Sequence, residues 1–121
     1  MRWIVLTATL CAPSLAMADE AGQKAAIFHC GRCHVVPGGN PFGSIGSTPS
    51  FAAMRNYEDW KVRFEGFYAE PPHIAITQIE GLTDPFERTP PIAPMEMSED
   101  AFAAILRFVE TIEPKDVGTL D

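Results

Sequence analysis

Five consecutive residues, Cys30-Gly31-Arg32-Cys33-His34, set two thiols three positions apart and an imidazole directly after the second. At that spacing each thiol can add to one vinyl group on the edge of a haem, and the adjacent imidazole then stands under the iron as an axial ligand. The pattern implies one covalent haem c, with Cys30, Cys33 and His34 as its attachment and ligand residues. A chance match arises in about one chain of this length in a thousand, so the motif carries weight by itself. Other uses of a Cys-x-x-Cys pair need more. A thioredoxin-like dithiol requires a βαβ context, for which the sequence has no pattern. A structural zinc ion would have to take its fourth protein ligand from His29 or His73. A plain disulfide stays open but leaves His34 without a part.

The chain that must position these residues has 121 residues, 46% apolar and 21% charged, a globular composition of single-domain length. Its N-terminus differs from the rest. Met1 and Arg2 precede an apolar run over residues 3–15, followed by Ala16-Met17-Ala18, small residues suited to a signal peptidase. The expectation is a cleaved signal at 1–18, cut after Ala18, an exported periplasmic protein, and one haem domain over 19–121. The run falls short of the roughly 20 apolar residues that cross a bilayer, so no membrane span is expected after cleavage. Bulky Leu10 immediately before Cys11 argues against a lipid anchor. Cleavage removes Arg2 and moves the net charge from −7 to −8. So acidic a chain repels phosphate backbones, which excludes nucleic acid, and favours redox partners with a basic docking surface. No feature fixes an oligomeric state. A domain this small buries a modest share of its surface and gains from a large apolar insert such as haem.

Helix formers behind two acidic residues predict a helix over 21–28. Residues 35–50, rich in Gly, Pro, Ser and Asn, read as a long loop. Helices are expected over 51–55 and 59–68, the latter aligning Trp60, Phe64 and Phe67 on one face until Pro71-Pro72 stops it. That aromatic stripe suits packing or a pocket wall better than an electron relay. Residues 80–94 carry four prolines and read as loop. Ser98 then caps a helix with Glu99 and Asp100 in its first turn and an apolar stripe of Phe102, Ile105, Leu106, Val109 and Ile112. No strand-like alternation of useful length is present, so the expected class is all-α with long loops.

With the attachment motif in place, the sequence resembles the class I cytochrome c family over nearly all of residues 19–121. The resemblance implies a small cytochrome c-like fold in which N- and C-terminal helices cross and long loops wrap one haem. Gly22 stands where that family often has the small residue of the crossing, and Phe108 resembles its aromatic partner. Gly46-Ser47-Thr48-Pro49-Ser50-Phe51 is similar to the loop whose proline carbonyl accepts a hydrogen bond from the proximal histidine, which gives Pro49 that role. The family usually supplies a methionine as second axial ligand from the loop before the last helix. Here Met95 is preferred, with Met97 and His73 as alternatives, because Met97 directly precedes the cap. Met95 nevertheless lies nearer the cap than is usual, and Ile92 occupies the more common place. His29 reads as a surface residue. The implied function is a soluble carrier of single electrons, not itself an enzyme. The alternatives are a haem subunit of a larger periplasmic oxidoreductase, docked through 85–94 or 113–121, and a ligand-sensing haem protein with an open iron site.

Overall fold

The computed structural model describes residues 15–43 and 45–114, with side chains from residue 20 onward. The expected signal segment lies outside the described residues except for the backbone of 15–18, which belongs to the first helix. Cys11 and residues 115–121 of the tail lie outside them as well.

Among the described residues four α-helices make the frame: α1, Leu15–Cys30; α2, Phe51–Met54; α3, Trp60–Gly66; and α4, Glu99–Thr111. α4 forms where its code is strongest. The Ser98 side chain accepts a hydrogen bond from Ala101 N at 3.1 Å, satisfying one of the first-turn amides, and Glu99 and Asp100 face the positive end of the helix dipole. Its stripe buries Phe102, Ile105, Val109 and Ile112, together with Ala104 and Phe108. At its other end, Arg55 Nε donates to the Ile112 carbonyl at 3.1 Å while the guanidinium lies 3.6 Å from the Trp60 ring centroid.

α1 packs along α4, and the approach is set by Gly22. A Cβ there would collide with the Ala104 carbonyl oxygen and stand 2.7 Å from Phe108 Cβ. Only glycine lets the two backbones meet this closely. Ala26 and Val109 are fully buried beside the contact, and a buried Phe or Ile side chain contributes about 1.5–3 kcal/mol relative to exposure.

The all-α expectation is corrected by a short parallel sheet. β1, Thr77–Ile79, pairs with β2, Met95–Met97, in the register Thr77↔Met95 and Ile79↔Met97. Met95 N donates to the Ile76 carbonyl at 2.6 Å, and Glu80 N to that of Met97 at 3.0 Å. Both strands alternate, with Thr77, Ile79, Met95 and Met97 buried. Three residues give only one full alternation, which loops show as often. The pairing also spans the proline-rich 80–94 segment, so nothing local announces it.

Helix bounds differ too. α1 continues to Cys30 itself, two residues past the expected end. α3 stops at Gly66, after which Phe67–Ala69 and His73–Ala75 form 3-10 turns. Glycine weakens the helix there and Pro71 prevents its resumption.

Candidate functional site

A cavity of about 500 Å³ opens between the end of α1, the 45–57 segment, α3, the two 3-10 turns, β2 and α4. That volume is in the range of cofactor and ligand sites. Its walls are largely apolar, with Phe51, Phe64, Phe67, Phe102 and Ile105 among them.

Cys30, Cys33 and His34 all line it. α1 delivers Cys30 as its last residue, and a tight turn then folds the next four residues back: Cys33 N and His34 N both donate to the Cys30 carbonyl, at 3.1 and 2.9 Å. Gly31 belongs to this turn because a Cβ would run into the Ile27 carbonyl of the preceding helical turn. Both thiols and the imidazole are thereby presented to one space by a backbone that cannot fan them apart. The two cysteines are not joined to each other. Burial, and secondarily Cys33, pushes the Cys30 thiol up to about 12, so Cys30 is a protonated thiol at neutral pH. A dithiol redox centre needs the opposite, a thiol whose pKa has been lowered.

His34 is oriented from the far side of the cavity. Its Nδ1 lies 2.7 Å from the Pro49 carbonyl oxygen. A carbonyl only accepts, so Nδ1 carries the hydrogen and Nε2 keeps a lone pair. Burial holds the His34 pKa below its ordinary value, against the opposing pull of the Pro49 hydrogen bond, and so favours the neutral ring. The Phe51 ring meets it edge-on, with centroids 5.7 Å apart. Pro49 is itself fixed by its neighbours: Ser50 caps α2 through a 3.1 Å bond from Ala53 N, and Phe51 N donates to the Val35 carbonyl at 3.0 Å.

The three expected candidates for a second ligand are placed differently. Met95 is buried and lines the cavity. Met97 is equally buried but borders a separate open hollow with Gln78 and Ile79. His73, half-buried in its 3-10 turn, lines the cavity with its ring centroid 6.0 Å from that of His34 and the planes 10° from parallel. Burial, then the proximity of His34, lowers the His73 pKa. Ile92 is exposed and takes no part.

His29 belongs to the cavity wall rather than the open surface, half-buried and with its pKa lowered by desolvation. Phe64 and Phe67 line the cavity, whereas Trp60 packs behind it against the core. Met54, Tyr57 and Arg63 are cavity residues that sequence reasoning passed over. Met54 was legible as the i+3 neighbour of Phe51 on one helix face. Arg63 was hidden because its spacing from Asp59 reads as an ordinary surface ion pair, which it also makes, at 2.7 Å.

Among the described residues no three His, Cys, Asp or Glu side chains gather in a way that would hold a metal ion by themselves, so the zinc alternative finds no ligand set. No described helix is long and apolar enough to cross a membrane. Comparison with known proteins yields no relative: no family profile, no curated protein and no solved structure matches this chain.

Proposed function

We propose that this protein carries single electrons through one covalently attached haem c, as an exported, periplasmic member of the class I c-type cytochromes. The observation that carries the reading is the union, on one apolar-walled cavity, of two unjoined thiols, Cys30 and Cys33, with an imidazole whose Nδ1–H is committed to the Pro49 carbonyl.

The residues present suit the group. Cys30 and Cys33 would hold the porphyrin edge by two thioether bonds, and His34 Nε2 would bind the iron. When bound, haem supplies a ferrous/ferric couple whose potential follows its axial ligands and burial. The chain does the rest. The Pro49 carbonyl fixes the His34 tautomer and ring direction and raises the basicity of Nε2. Phe51, Phe64, Phe67 and Phe102 would pack on the porphyrin and keep water from that side of it, and the low polarity they create would strengthen charge effects there. The acidic surface, net −7 over the full sequence, favours encounter with partners that dock through basic residues.

Potentiometric titration of the haem-loaded protein tests the reading. A single reversible one-electron step is expected, together with electron exchange with a basic redox partner that slows as salt is added. Failure to cycle reversibly would overturn the carrier reading. Exchange that ignores ionic strength would remove its electrostatic part.

A further inference from the structure

We propose that the second axial ligand is His73, so that the iron is held between two imidazoles. This rests on the haem reading above and sharpens it, replacing Met95 as the preferred ligand.

The geometry of the two rings carries the argument. An imidazole nitrogen binds a first-row metal at about 2 Å, so two rings gripping one ion from opposite sides have centroids about 6 Å apart. The His34 and His73 centroids are 6.0 Å apart, with ring planes only 10° from parallel. A direct attraction does not explain that pose. Neither ring hydrogen-bonds the other, and 6.0 Å between centroids leaves room for a single ion between them.

His73 is also built in as a ligand is. The Phe67 ring meets it edge-on at 5.1 Å, as Phe51 meets His34. Its backbone is fixed in the 3-10 turn by Ile76 N donating to the His73 carbonyl at 2.9 Å. Among the described residues no group hydrogen-bonds its ring, so a half-buried polar ring faces the cavity with its nitrogens uncommitted. A polar group withdrawn from water without a partner costs free energy, and coordination would remove that cost. The thioethers lack a matching case. Met95 is locked into the parallel register opposite Thr77 and packed in the buried core. Met97 belongs to another hollow, and Met54 is part of α2, the helix that begins at Phe51 beside His34.

The test uses the full chain produced in a host competent for cytochrome c maturation. The ferric protein is expected to be low-spin, to lack the far-red sulfur-to-iron charge-transfer band, and to show the near-infrared magnetic circular dichroism of bis-imidazole haem. Met95→Ala and Met54→Ala, although both residues line the cavity, should keep the iron low-spin with its bis-imidazole magnetic circular dichroism. His73→Ala should give high-spin iron that binds carbon monoxide, and His73→Met should raise the midpoint potential, since thioether ligation does so relative to imidazole. The wild-type spectra decide the matter even if a variant fails to fold. A sulfur-to-iron band in the wild type, or low-spin bis-imidazole spectra surviving His73→Ala, overturns the ligand while leaving the haem reading intact. A chain that carries no haem overturns both.

Discussion

At the crossing of α1 and α4, polypeptide satisfies polypeptide: Gly22 admits the Ala104 backbone, Phe108 fills the space beside it, and Ala26 and Val109 are sealed. Around the cavity the same core is left unfinished. Phe51, Phe64, Phe67 and Phe102 present apolar faces to a space of about 500 Å³, which two thiols and the imidazoles of His29, His34 and His73 also line. One region specifies its own packing, and the other offers an apolar-walled space that would suit the haem proposed above. A chain of this size has little core to spare, and a large apolar group bound there would extend it.

Substitutions in the two regions should therefore fail in different ways. The largest effect is expected from Cys30→Ser combined with Cys33→Ser, which should abolish covalent haem while leaving α4 and its crossing with α1 formed. Haem staining on a denaturing gel and helix content by circular dichroism check the two halves of that statement. Phe108→Ala should do the converse, costing about 3–5 kcal/mol in denaturant unfolding while the haem stays attached. A cost under about 1 kcal/mol would mean that the crossing is looser than its geometry indicates. Gly22→Val forces a side chain against the Ala104 carbonyl and should cost about 1–3 kcal/mol by the same measurement.

The smallest effect is expected at an exposed ion pair on the rim of the cavity. Arg63 holds the Asp59 carboxyl below its ordinary value of 3.8, and both side chains are exposed. A depressed carboxylate stabilises the fold above its unfolded value, and that contribution disappears as pH falls through the depressed one. Asp59→Asn should thus produce a slight loss at neutral pH, within the small range of surface ion pairs, and none in strong acid. A loss that persisted in strong acid would show that Asp59 acts through something other than its charge.

What was legible in the sequence follows the same division. That Cys30, Cys33 and His34 share one site could be read because they fall within five consecutive positions, and α4 because cap, dipole charges and apolar stripe agree. Pro49 was reached through likeness to a known loop, and its carbonyl does lie 2.7 Å from His34 Nδ1. The parallel strands were not legible: each is three residues long, and their pairing is decided by contacts across the proline-rich loop. His73 was a candidate only by residue type. Nothing near Pro71-Pro72 in the sequence indicates that the following turn brings an imidazole beside His34, since that depends on Phe67 and Tyr68 packing against Phe102 of α4. Tyr57 is likewise a cavity residue by tertiary placement alone.

The intact mass of the chain after production in a host competent for cytochrome c maturation tests the central claim most directly. The account predicts a polypeptide heavier by one haem, retained through acid and organic-solvent extraction. A mass equal to the bare polypeptide would contradict it.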